Sequence, residues 1–355
     1  GGNVEMVSIL TNEEWCFFEI GIPTFNRFRK LKRLLSILER EVFSIEQDIR
    51  IRITVSDNHS SDATQQMILN HSFKDKIVFR SNSENIGALR NIWGLYETMR
   101  ADYIWIISDD DIPKQGSLKK IIEVLIEKKP TVLSFEFEQP PGNALKRHGN
   151  KDGIEELFDL RIAIPQILML GKLTKQVFSA IHLQIAIRNV FFDRDTGYGW
   201  LLVILEIIKL APNKKIIIYH DFLASCDEEY KELTEGLTPK YWDDYLLLLN
   251  HEIVVTNCSL YAKQYIRGHT RYMIIMIYEV MAGVMQTSDT KIFREYGKQI
   301  PFNVGCVRNP IIGLMWFSLR YGIPALPIVC RISEFPGSIK RVFFLNRMNY
   351  MSSQK

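Results

Sequence analysis

Five apolar residues in unbroken succession, 103–107 (Tyr-Ile-Trp-Ile-Ile), run straight into Ser108-Asp109-Asp110-Asp111. An apolar run this short, without polar alternation, reads as a strand covered on both faces. Burying such a strand calls for helices on both sides of a sheet. It also brings three neighbouring carboxylates to one strand end, where they repel one another and lose solvation.

The flanking sequence supplies the rest of that sheet. Strand patterns at 17–22, 49–55, 77–80 and 131–137 alternate with helical ones at 88–99 and 117–127. The helix after the first strand carries Leu31, Leu34, Leu35, Leu38 and Val42 at three-and-four spacing, with Asn26 as its expected N-cap. A shorter helix passes through Met67 and Ile68 after a polar loop at 56–62. This β-α rhythm predicts an α/β fold, a Rossmann-like open and mostly parallel mixed sheet with helices on both faces. Further on, 139–153 reads as a loop, 179–187 as a strand, 200–210 as a helix and 215–219 as a late strand. From 239 the pattern turns mostly helical. The expected organisation is an N-terminal extension 1–16, a ligand-binding α/β domain 17–238 and a helical region 239–355.

Bulk properties exclude some partners. With a net charge of +3 in 355 residues, nothing global points to nucleic acid. The five cysteines, Cys16, Cys226, Cys258, Cys306 and Cys330, are scattered without CxxC spacing. They indicate neither a zinc site nor a disulfide framework. With no signal-like start, a cytoplasmic protein is expected. The apolar stretch 311–329 is interrupted by Arg320, Pro324 and Pro327, which makes it a poor spanning helix. It reads as a buried helix, or as one lying at a membrane surface beside the basic tail that begins at Arg331.

In open α/β sheets, ligands bind beyond the carboxyl ends of the strands. Polar groups gather at several such ends. Pro23-Thr24-Phe25-Asn26-Arg27 follows the first strand and offers a hydroxyl, a helix start and a guanidinium for phosphate. Asp57 ends the second, with an acceptor carboxylate suited to a base N–H. In Asn85-Ile86-Gly87-Ala88-Leu89-Arg90, Gly87 permits close backbone approach and Arg90 adds a cation near phosphate. The triplet suits Mg²⁺ or Mn²⁺, whose oxygen shells are completed by phosphate and water. Taken alone, it also reads as an acidic turn capping the helix at 117, since acidic triplets in loops are common.

Pro23-Thr24-x-Asn26-Arg27, Asp57-x-x-Ser60-x-Asp62-Ala63-Thr64, Asn85-x-Gly87-x-x-x-Asn91 and the Asp109 triplet stand in the order and spacing of family 2 glycosyltransferases, which this chain resembles over about residues 17–225. The Ser-Asp-Asp-Asp form is similar to that of abequosyltransferase-like enzymes of bacterial surface polysaccharide synthesis. The resemblance implies a GT-A fold and an inverting transfer from a nucleotide-diphosphate sugar to a glycan or polyprenyl-linked acceptor. It places Pro23, Thr24, Asp57 and Arg90 around the nucleotide, with Asp57 on the base. Asp109 is expected at the ribose, Asp110 at a divalent metal and Asp111 in support. With a lipid-linked acceptor, the composition of the 311–329 stretch and the basic tail would put the protein at the inner face of the cytoplasmic membrane.

One feature departs from the family pattern. Where a Glu-Asp pair would supply the catalytic base, the chain has Gly197-Tyr198-Gly199-Trp200. The nearest carboxylates are Asp193, Asp195 and Glu206, with Asp195 preferred because it precedes the helix at 200. His220 reads as a third metal ligand, a base or an ordinary strand-end histidine. The missing pair keeps open a catalytically inactive nucleotide-sugar-binding scaffold. A nucleotidyltransferase is disfavoured, because no Gly-rich loop follows the first strand.

Overall fold

The computed structural model describes residues 15–45, 48–138, 152–170, 172–190, 198–226 and 247–259. The chain divides into two units, 1–233 with 247–259 and 234–246 with 260–355. All described residues belong to the first. Of the helical region expected from 239, only 247–259 is described, and it is helical at 247–249 and 252–259. The 311–329 stretch, the basic tail and Asp195 lie outside the described residues.

The apolar run becomes β4 (Ala101–Ile106), and it lies beside β1 (Cys16–Thr24). On the other side of β1 come β2 (Ile51–Asp57) and β3 (Ile77–Ser81), all parallel. The chain thus builds outward from β1 in one direction and then returns to its other edge. The gap between the ends of β1 and β4 is therefore a topological switch point.

Beyond β4 the sheet departs from the mostly parallel expectation. The short strand β5 (Asp111–Pro113) is followed by β6 (Val132–Glu138), β7 (Ile154–Leu157), β8 (Gln176–Ser179) and β9 (Ile216–Cys226). The sheet order is β3-β2-β1-β4-β8-β6-β9-β5, with β7 also on β9. β8 runs antiparallel to β4 and β6, and β5 and β7 run antiparallel to β9. This mixed sheet curls into a half-barrel instead of remaining open. Register shifts between β6 and β9 at Phe135–Phe137 supply local bending, as an extra residue on one strand does.

Alternation along β1 explains the layers. Phe18, Ile20 and Ile22 face one core, which α1 (Phe28–Phe43) completes with Leu31, Leu34, Leu35 and Leu38, all buried. Each such side chain contributes about 1.5–3 kcal/mol by leaving water. Trp105 lies between Phe18 and Phe135, its ring centroid 6.4 and 6.0 Å from theirs. Gly21 points to the opposite face, against Ile106 and against Met99, the C-cap of α3 (Ala88–Thr98). Helices on both faces are therefore present.

Two local expectations are corrected. The 179–187 segment is the last residue of β8 followed by α6 (Leu183–Asn189). Leu183, Ala186 and Ile187 are buried at helical spacing, whereas Ile181 and Ile185 are 76% and 50% exposed. Asn26 does not cap α1. It takes a left-handed backbone (φ 52°), and the Asp62 carboxylate accepts from the Phe28 N–H at 3.0 Å instead.

A second cap also crosses between elements. α4 (Ser117–Lys128) starts at Gly116 without a side-chain cap of its own. Glu41, buried on α1, accepts from the N–H groups of Gly116 and Leu118 at 2.9 and 3.1 Å. A carboxylate at a helix start satisfies orphan donors and meets the positive end of the dipole. Glu41→Ala is expected to lower unfolding stability by about 2 kcal/mol in urea titrations. A loss below about 0.5 kcal/mol would show that this contact is replaced by water.

Candidate functional site

The ends of β1 and β4 carry the centre of the site. Thr24, the last residue of β1, donates its hydroxyl to Asp109 Oδ2 at 2.7 Å. Arg27 Nη1, from the turn before α1, reaches Asp109 Oδ1 at 2.9 Å and Asp110 Oδ2 at 3.2 Å. Ser108 donates to Asp110 Oδ1 at 2.6 Å. Asp111 opens β5, where it faces Cys226 of β9. Its carboxylate takes the Lys172 ammonium at 2.7 Å and the Thr174 hydroxyl. Thr174 Oγ1 also accepts from the Ser108 N–H at 3.1 Å, so one buried hydroxyl joins both ends of the acidic turn.

The three carboxylates therefore differ. Burial pushes Asp109 upward, against Arg27 and Thr24. Burial also acts to raise Asp110, but the Ser108 hydroxyl, Arg27, Lys172 and Lys30 together carry it below the usual carboxylate range. Burial pushes Asp111 up to about 6, against Lys172 and Thr174. The Asp110 side chain remains 31% exposed, while those of Asp109 and Asp111 are 3% and 1% exposed. A depression lined by Lys30, Arg33 and Leu34 of α1 opens onto the triplet.

The second strand end is organised separately. Asp57 is buried and accepts from the Ser60 N–H at 3.2 Å, from the Ser60 hydroxyl and from the Ser81 hydroxyl at 3.3 Å. The Asn26 N–H donates to Ser60 Oγ at 2.8 Å, which links the two loops. Asn58 Oδ1 accepts from Asn82 and from the Ile86 N–H, and Asn58 Nδ2 donates to Asn85. Asn82 also donates to Asn91 at 2.9 Å, and Asn91 exchanges hydrogen bonds with Ser56. Gly87 sits at the N-cap of α3 with φ 87°, a backbone that β-carbon-bearing residues rarely adopt. Pro23 is half-buried in β1 beside Ser56, and Arg90 is exposed on the first turn of α3.

The structure thus brings Thr24, Arg27, Asp109 and Asp110 together, and Asn26, Asp57 and Asn85 beside them. It does not bring His220 to the triplet. β9 continues past Tyr219 to Cys226, and it is Cys226 that faces Asp111. His220 lies six positions back, roughly 20 Å along a strand, and pairs with Glu155 at 3.0 Å. The expected metal set of Asp110, Asp111 and His220 is therefore not assembled. Among the described residues no three His, Cys, Asp or Glu side chains form a metal cluster. Glu206 is buried in α7 (Gly199–Leu210), where Asn189 and His251 bond its oxygens at 2.7 and 3.1 Å. Burial holds His251 below its ordinary value, with Glu206 acting against it.

The donor set still suits a divalent cation. Asp109 and Asp110 each present one oxygen to the same cationic nitrogen, and hard oxygen ligands are what Mg²⁺ and Mn²⁺ take. Asp111 is committed elsewhere. Lys172 and Thr174 had no motif to mark them, since they precede a strand that the periodicity did not reveal. Asn58 and Asn82 had a weak signal, each being a polar residue just past a strand.

Residues 19–192 match the model of glycosyl transferase family 2. Abequosyltransferase RfbV of Salmonella typhimurium is 38% identical over 100 residues, 27% of this chain and 29% of that protein. Among solved structures, Staphylococcus aureus TarS 1–349 in complex with UDP-GlcNAc has a TM-score of 0.55 at 14% identity, covering 86% of this chain and 90% of that one. The mannosyltransferase PcManGT of Pyrobaculum calidifontis, in complex with GDP-Man and Mn²⁺, has a TM-score of 0.52 at 10% identity, covering 98% of this chain and 86% of that one. These structural likenesses support the fold.

The pairing of Asp111 carries a stability prediction. Lys172→Met leaves a buried carboxylate without its counter-charge and is expected to cost about 2 kcal/mol in urea unfolding. Adding Asp111→Asn, which keeps an acceptor for Thr174, should restore at least half of the loss. No recovery would mean that Lys172 acts mainly through its packing on Phe137, 3.8 Å from the ring centroid.

Proposed function

We propose, from the family 2 glycosyltransferase match of residues 19–192, that the protein transfers a sugar from a nucleotide-diphosphate sugar to a hydroxyl acceptor. The observation that carries this reading is the convergence of Thr24, Arg27, Asp109 and Asp110 at the switch point between β1 and β4. The reaction is an inverting displacement, in which an acceptor hydroxyl attacks the anomeric carbon as the nucleotide diphosphate leaves. Asp57, held at the end of β2, accepts an N–H of the base. Asp109 lies where a ribose hydroxyl would add to its bond from Thr24. Lys30 and Arg33, beside the triplet, bring positive charge to the diphosphate side. Asp109 and Asp110 would hold a divalent metal, which supplies charge neutralisation on the leaving diphosphate.

Asp195 is our choice for the base that deprotonates the acceptor. Its support is its position just before α7 and the commitment of Glu206 to Asn189 and His251. The acceptor class, a glycan or polyprenyl-linked oligosaccharide of bacterial polysaccharide synthesis such as O-antigen or capsule, follows from the similarity to abequosyltransferase. Work on such an acceptor would place the protein at the inner face of the cytoplasmic membrane. No helix among the described residues is long and apolar enough to cross a membrane.

A second reading, a nucleotide-sugar-binding scaffold without catalysis, is favoured by the sequestration of Glu206. Sugar transfer that is lost in Asp195→Asn with donor binding intact rules it out. The donor site itself is tested by thermal shift with UDP, TDP, GDP, CDP and ADP, each with and without Mn²⁺. One nucleotide should raise Tm in a Mn²⁺-dependent manner, and Asp110→Asn should abolish the shift. Equal shifts in the variant would remove Asp110 from the site.

A further inference from the structure

The contacts of Arg27 divide the two carboxylates in the same way. Asp109 gives one oxygen to the Thr24 hydroxyl, and Asp110 gives one to the Ser108 hydroxyl. The remaining oxygen of each meets Arg27 Nη1, at 2.9 and 3.2 Å. A single guanidinium nitrogen therefore stands where two carboxylate oxygens converge. Hard divalent ions take carboxylate oxygens as ligands, so the two oxygens that meet Arg27 are the ones that would hold such an ion. Both groups cannot occupy that point.

We propose that Arg27 is the resident cation of this site, holding Asp109 and Asp110 in their binding geometry until a divalent ion displaces it. The inference rests on the donor-site reading above, and goes beyond it by giving Arg27 carboxylate partners before any phosphate. Two further observations support the exchange. The Arg27 side chain is 49% exposed and sits in the turn between β1 and α1, so it can leave towards solvent without disturbing the core. Asp109, by contrast, is buried and is held by Thr24 through the oxygen that Arg27 does not use. Without a cation, two carboxylates sharing one point would repel each other, and Arg27 removes that cost.

The exchange predicts that Arg27 opposes divalent binding. Mn²⁺ alone is the probe, titrated into the full chain and followed by the electron paramagnetic resonance signal of free Mn²⁺. Arg27→Gln should bind Mn²⁺ about tenfold tighter than the unaltered chain, the scale of one unit charge removed beside a divalent ion at a half-exposed site. Arg27→Lys, which keeps the charge, should bind no tighter than the unaltered chain. The metal-free Arg27→Gln chain should also melt earlier than the unaltered one and regain its Tm on adding Mn²⁺. Unchanged or weaker Mn²⁺ binding in Arg27→Gln overturns the proposal. Asp110→Asn separates this from failure of the underlying reading. If Mn²⁺ binding is lost in Asp110→Asn but not tightened in Arg27→Gln, the metal site stands and the role of Arg27 falls. If no variant binds Mn²⁺ with or without nucleoside diphosphate, both fall.

Discussion

Three consecutive carboxylates at the end of a buried strand form the constraint around which the described unit is arranged. None can be left bare, since desolvation and mutual repulsion both act against the charged forms. Each is answered in the same way, by one hydroxyl and one cation. Asp109 has Thr24 and Arg27, Asp110 has Ser108 and Arg27, and Asp111 has Thr174 and Lys172. The partners come from the end of β1, from the acidic turn itself and from the segment before β8. Satisfying the triplet therefore fixes β1 and β8 on either side of β4, and β9 against Asp111.

The answers differ in what they leave available. Asp111 is sealed by a partly exposed lysine that also rests on Phe137. Asp109 and Asp110 share one half-exposed side chain between them. The same chemistry that stabilises the turn thus separates a carboxylate held by lysine from two that converge on one arginine. Consecutive residues acquire different duties through the segments they meet.

Much of this was legible in the sequence where the signal was local. The apolar run 103–107, the leucine stripe of α1 and the order of β1, α1, β2, β3, α3, β4 and α4 follow from periodicity alone. So does the placing of Thr24, Asp57 and Asp109 at strand ends. What was not legible depends on partners far along the chain. Asp62 caps α1 from beyond β2, and Glu41 caps α4 from α1. The antiparallel insertion of β8 between β4 and β6 has no local signature, and the strand expected at 179–187 is instead the end of β8 and the start of α6. The apolar run stops at Tyr219, which places His220 at a strand end near the triplet, as metal ligand, base or ordinary histidine, yet pairing with β6 and β5 carries β9 on to Cys226. Lys172 and Thr174 become visible only once β8 is in place.

The two halves of the site also differ in stiffness, and the difference has a physical origin. Around Asp57, the side chains of Ser56, Asn58, Asn82 and Asn91 are all buried and bonded to one another. In a low-dielectric interior such a network is costly to open, since each broken bond strands a desolvated polar group. Arg80 adds to it, donating to Asn82 and packing so closely over Gly94 that a β-carbon there would come within 2.0 Å of its guanidinium. That end of the strand cluster is therefore held by its own hydrogen bonds. At the other end, Asp109 and Asp110 are held by a half-exposed arginine on a turn. A ligand that spans both ends meets a rigid surface at Asp57 and an adjustable one at the acidic turn. Rearrangement on binding is thereby directed to Arg27, the partner whose release exposes charge to solvent instead of burying it unpaired.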